Sequence, residues 1–130
     1  MRALKTLIVA GFLAALAQGP AIAGEWWKYS DDSFKKLQAE GKPILVEINA
    51  DWCPICAKQR PIIDRLTSTE SLKNINILIV SFDGQKDVVR AFGATQQATL
   101  IVFKGAKEVG RSIGETDTLA IKDLLEKAEG

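Results

Sequence analysis

Asp51-Trp52-Cys53-Pro54-Ile55-Cys56 holds both cysteines of the chain. It lies where one apolar pattern gives way to another. Before it, Ile44-Leu45-Val46-Glu47-Ile48 is a short, nearly continuous apolar run, which predicts a strand buried on both faces. After it, Ile55, Ile62, Ile63 and Leu66 follow helical spacing, so a helix is expected from Cys53 to about Leu66, kinked at Pro61. Spacing i, i+3 puts both sulfurs on one helical face, within reach of a disulfide. Chain entropy argues against a structural staple. Closing a four-residue loop is worth only about 2 kcal/mol, against about 4.7 for a 100-residue loop. Redox chemistry is the better reading. Cys53 falls at the helix N-terminus, where free N–H groups and the helix dipole favour a thiolate. Pro54 suits the first helical turn, where its missing N–H matters little. Cys56, one turn deeper and less exposed, would resolve the mixed disulfide that Cys53 forms. The competing reading is a metal or iron–sulfur site on the Cys53/Cys56 thiolates. Two ligands fall short of four, so a second chain or a small molecule would have to complete it. A third reading is an adaptor that uses the fold without redox work.

Outward from this stretch the elements alternate. Ser30-Asp31-Asp32 offers cap oxygens to a helix over Asp31 to Glu40, closed by Gly41 and Pro43. Ile75 to Val80 reads as a second strand, and a short helix spans about Asp87 to Phe92. Thr99 to Phe103 and Glu108 to Ile113 form a hairpin around Lys104-Gly105-Ala106-Lys107. Thr116 or Asp117 caps a last amphipathic helix carrying Leu119, Ile121, Leu124 and Leu125. Buried strands separated by helices predict one α/β domain, a mixed central sheet flanked by helices.

Composition narrows the chemistry. The chain has 130 residues, 47% hydrophobic and 25% charged, with a net charge of +1, which argues against long disorder and nucleic-acid binding. There is no His, so Ser-His-Asp and Cys-His catalysis within one chain are excluded. Residues 1–23 read as a secretory signal peptide. Arg2 and Lys5 make a basic start, Leu7 to Ala17 is an apolar run, and Ala21-Ile22-Ala23 supplies an A-x-A site. The apolar run is shorter than the roughly 20 residues a membrane span needs. Cleavage after Ala23 would leave a domain of residues 24–130, with 15 cations against 16 acids.

With these pieces in order, the chain from about Ser30 to Ala128 resembles the thioredoxin family. The resemblance rests on the strand before Trp52-Cys53-Pro54-Ile55-Cys56, on Pro61 inside the following helix, on Asp83 after the next strand, on Thr99-Leu100-Ile101-Val102-Phe103 with Gly105, and on Gly114 before the last helix. It implies the thioredoxin fold and thiol-disulfide exchange, with Cys53 as nucleophile and Cys56 as resolving thiol. Glu47 matches the family's buried acid. A lone acid in an apolar strand is costly unless useful or paired, and burial would raise its pKa and suit it to move protons for Cys56. The other possibility is that Glu47 faces a sheet edge or pairs with a lysine. The resemblance also implies that Trp52, Pro54, Ile55, Gln97, Ala98 and Thr99 border the substrate. Lys58 reads as a solvated helix residue, and Trp26 and Trp27 as packing at the start of the domain.

Two departures stand out. The family usually has Gly-Pro between its cysteines, where this chain has Pro54-Ile55. The family's cis-proline position falls on Ala98, where a cis bond would cost roughly 3 kcal/mol, so a trans bond is expected. The expected partners are protein thiols or disulfides, with a membrane thiol reductase as electron donor. No cofactor beyond the Cys53–Cys56 disulfide, no resident metal and a monomeric state are expected, in the bacterial periplasm.

Overall fold

A computed structural model describes residues 24–130. The export segment read in residues 1–23 lies outside them. The described chain runs β1 (Trp26–Lys28), α1 (Asp31–Ala39), β2 (Pro43–Asn49), α2 (Pro54–Thr67), β3 (Asn76–Ser81), α3 (Lys86–Ala91), β4 (Thr99–Lys104), β5 (Lys107–Ile113) and α4 (Thr118–Glu129). Every expected element is present, with ends displaced by a residue or so. The three-residue β1 was not expected. No described helix is long and apolar enough to cross a membrane.

The five strands form one sheet in the order β1-β3-β2-β4-β5. β3 pairs in parallel with both β1 and β2, and β4 runs antiparallel to β2 and β5. β2 is therefore central, which is why Ile44 to Ile48 are all buried. Strand alternation divides the core in two. Leu45, Ile77, Leu100 and Val102 face Ile62, Ile63 and Leu66 of α2 and Ile121, Leu124 and Leu125 of α4. Ile44, Val46, Ile48, Leu78, Ile101 and Phe103 face the other way, toward Phe34 and Leu37 of α1 and Val88 and Val89 of α3. Each Ile or Leu fully buried this way is worth about 1.5–3 kcal/mol. Leu119 is an exception to the expected apolar face of α4, because it lies exposed in the helix's first turn.

Local chemistry sets the element ends. The Ser30 hydroxyl accepts the Ser33 N–H at the start of α1, and Asp117 accepts the Ala120 N–H at the start of α4. Between β4 and β5, Gly105 has φ +57°, and a Cβ there would sit 3.2 Å from Gly41 Cα. Both the backbone angle and the close approach call for glycine.

Candidate active site

Chain direction places the cysteines. β2 ends at Asn49, the Cys53 N–H donates to the Ala50 carbonyl, and α2 begins at Pro54. Cys53 is the N-cap of α2, with Pro54 in the helix's first turn. The Cys53 Sγ accepts the Cys56 backbone N–H at 3.1 Å. Cys53 and Cys56 form a disulfide, with their Cα atoms 5.3 Å apart. Cys56 is the deeper, 1% exposed, and its Sγ lies 3.9 Å from the Ile48 carbonyl oxygen. Cys53 is also well covered, at 3% exposed, though it borders a small cleft with Asn49, Asp51, Ala57 and Arg60. α2 is continuous through Pro61, and its Lys58 is exposed, in line with a solvated helix residue.

The remaining expected site residues range from the buried surroundings of the cysteines to the open surface. Ala98 packs with Ala50, Cys53 and Cys56, and Ile55 flanks that cluster together with Phe82. Trp52 stands 58% exposed; its Nε1–H donates to Asp83 at 2.8 Å, and its ring meets Phe82 edge-on. Pro54 is exposed and Gln97 half-buried. Thr99 is buried, and its hydroxyl donates to the Gln96 carbonyl at 2.7 Å.

Ala98 has φ +60°, the one non-glycine residue in the left-handed region among those described, and its peptide bond is trans. Three contacts hold it. Its N–H donates to the Ile48 carbonyl at 2.8 Å, and its own carbonyl accepts the Gly114 N–H at 2.9 Å and the Gln59 side-chain amide at 3.2 Å. Gln59 is buried, and the same amide also reaches the Glu115 carbonyl at 2.9 Å. The sequence reading missed Gln59. Its one signal is a polar residue four positions before Ile63 on the buried side of the helix. A left-handed backbone disfavours a branched side chain, and the site around Ala98 is already filled. Ala98→Val is therefore expected to lower the unfolding free energy by about 2–3 kcal/mol. Ala98→Gly should stay within about 1 kcal/mol, because relief of strain offsets the lost buried methyl. Urea denaturation of the oxidised protein checks both, and a Val variant as stable as the parent would contradict the account.

Glu47 lies on the α2 side of central β2, between Ile79 of β3 and Leu100 of β4. It is 0% exposed, so it faces no sheet edge, and neither carboxylate oxygen has a hydrogen-bond partner. Its ion-pair partner is Arg60 from α2, with Nε 3.5 Å from Oε1, and not a lysine. Burial pushes its pKa up from 4.5 to about 7, Arg60 opposes that rise, and Asp64 adds to it. No group of three or more His, Cys, Asp or Glu side chains suited to a metal occurs among the described residues.

The thioredoxin family model matches residues 25–127. The chain belongs to the thioredoxin family. A thioredoxin of Chlamydia muridarum is 34% identical over 98 residues, covering 75% of this chain and 93% of that protein. The crystal structure of Trxlp from Edwardsiella tarda superposes with a TM-score of 0.75 at 40% identity, covering 78% of this chain and 98% of the other. A mutant thioredoxin from Halobacterium salinarum, 22% identical, gives a TM-score of 0.72 over 86% of this chain and 97% of the other, a likeness of fold. As a thioredoxin-family chain with a Cys53–Cys56 disulfide, the protein is a thiol-disulfide oxidoreductase.

Proposed function

We propose that the protein is exported and exchanges disulfides with protein substrates, with Cys53 as nucleophile, Cys56 as resolving thiol and Glu47 as proton acceptor. The observation that carries this reading is the Cys56 N–H aimed at Cys53 Sγ at the start of α2. In the reduced protein that N–H and the helix terminus favour a thiolate on Cys53. The thiolate attacks one sulfur of a substrate disulfide, and the other leaves as a thiolate. The Cys56 thiol gives up its proton, for which Glu47 is the buried base, and its thiolate attacks Cys53 Sγ. The Cys53–Cys56 disulfide forms and the substrate departs with both sulfurs reduced, two electrons having passed to it. Trp52, Pro54, Ile55 and the Gln97-Ala98-Thr99 loop border the substrate, with Ala98 in the place of the family's cis-proline. A thiol reductase, membrane-bound where the chain works outside the cytoplasm, would renew the dithiol.

Export is supported by the basic start, apolar run and A-x-A site within residues 1–23. Amino-terminal sequencing of the protein from its periplasm is expected to begin at Gly24. A start at Met1 would overturn export with cleavage. The exchange chemistry is tested by insulin reduction with dithiothreitol. The mature chain should accelerate precipitation of the insulin B chain, and the Cys56→Ser variant should accumulate mixed disulfides visible on a non-reducing gel. No acceleration, together with no trapped species, would overturn the reading. Direction follows from the reduction potential after equilibration with glutathione. A value of about −270 mV means a reductant, and one of about −120 mV means an oxidant of folding proteins.

A further inference from the structure

Around Glu47 the structure places more than the exchange reaction strictly needs. Arg60 reaches back from α2 to the carboxylate, and its guanidinium lies over the Trp26 ring, 5.2 Å from the ring centre. Trp26 is itself fixed, because its Nε1–H donates to Asp64 Oδ1 at 2.6 Å. Asp64 stands one turn along α2 from Arg60. Strand β1, helix α2 and strand β2 thus hold one chain of contacts, Asp64 to Trp26 to Arg60 to Glu47. Arg60 also lines two clefts. One, of about 390 Å³, includes Lys28, Asp51 and Asp83; the other, of about 180 Å³, includes Cys53.

We propose that Arg60, stacked on Trp26, is a positioning residue for the exchange reaction, one that sets the pH at which the buried Glu47 gives up its proton and separates that carboxylate from the clefts. The inference rests on Glu47 as the proton acceptor. Geometry makes Arg60 the controlling cation. Glu47 has no hydrogen bond to satisfy its charge, so an opposite charge at 3.5 Å is its nearest compensation. The flanking strands offer Ile79 and Leu100, which carry no charge. Asp64 opposes Arg60 from the same helix. Lys28 shares the sheet row of Glu47 but lies beyond Ile79, and Asp51 and Asp83 line the outer cleft. The stack on Trp26 holds a long, partly exposed side chain in the one place where its charge counts.

The test reads Glu47 directly, by carboxyl carbon NMR of the full mature chain in the reduced state, alongside the pH profile of exchange. Arg60→Gln is expected to raise the Glu47 titration midpoint by about one pH unit or more, since an opposite charge at this range lowers a carboxyl by 1–3 units. Arg60→Lys should restore much of the difference. Asp64→Asn, which keeps an acceptor for Trp26, should move the midpoint the other way. The alkaline-going limb of the exchange profile should follow each displacement. An unchanged midpoint in Arg60→Gln overturns the role of Arg60. A midpoint that moves while the exchange profile stays fixed overturns the role of Glu47 instead, and the proposal with it. Equal midpoints in Arg60→Lys and Arg60→Gln would mean that packing, and not charge, is what Arg60 provides, which also overturns the proposal.

Discussion

Replacing Cys53 with Ser is expected to reduce catalysed disulfide exchange to the uncatalysed background. A serine hydroxyl does not ionise near neutral pH, so the helix terminus and the Cys56 N–H at 3.1 Å have no thiolate to stabilise. Cys56 cannot substitute for it. Cys56 is buried within the first turn of α2, and its sulfur points to the Ile48 carbonyl, which gives no stabilisation to an anion. The fold should survive, because the four-residue loop it closes adds only about 2 kcal/mol by chain entropy. Insulin reduction and urea denaturation, run on one preparation, separate lost chemistry from lost structure. Residual exchange above background in a folded Cys53→Ser protein would remove Cys53 from the nucleophile's role.

The second large effect concerns stability and comes from Glu47. In the unfolded chain this carboxyl titrates near its ordinary value of 4.5, whereas burial raises it to about 7 in the folded protein. Between those pH values the folded state holds a proton that the unfolded state has lost, so stability falls as pH rises. The contribution is fully present below about pH 4.5 and is lost as pH climbs through about 7, for a total of about 3 kcal/mol. Glu47→Gln keeps the shape and removes the titration. Its stability relative to the parent should therefore rise by about 3 kcal/mol between pH 4.5 and pH 8.5. Taking the difference between the two proteins cancels the other carboxylates. A difference that does not change with pH would show that Glu47 ionises in the fold as easily as in water. Under the role proposed for Glu47, exchange by the same variant should also slow.

How much of this was legible in the sequence depends on the range of the interaction involved. Local patterns fixed the helices and strands. The i, i+4 apolar spacing of α2 and the uninterrupted run of β2 are each carried by neighbouring residues. β1 escaped because three residues are too few to show alternation. Its pairing to β3, including the Ile77 N–H to the Glu25 carbonyl, joins segments some fifty positions apart. In the site, the cysteine pair and the unusual acid at 47 were visible, since a charged residue in an apolar run announces itself. The identity of its partner was not. Arg60 looks like any helix cation until the helix is laid on the sheet. Gln59 was invisible for a similar reason, because its two acceptors, Ala98 and Glu115, come from loops far along the chain. The positive φ of Ala98 had no signal either, since alanine rarely adopts it.

The central position of β2 bears on how the molecule breathes. Local opening in a folded protein begins where few contacts hold the backbone, at frayed edges and short strands, and reaches the core last. Both cysteines follow β2, whose amides are paired on each side by β3 and β4. Hydrogen exchange should thus be slow from Ile44 to Ile48 and faster at Trp26 to Lys28 and along β5. A substrate pressing on the site would meet this persistent strand and the tightly held Ala98, which leaves the exposed Trp52 as the side chain with room to adjust. The redox pair thus sits a few residues past the end of the strand expected to open last.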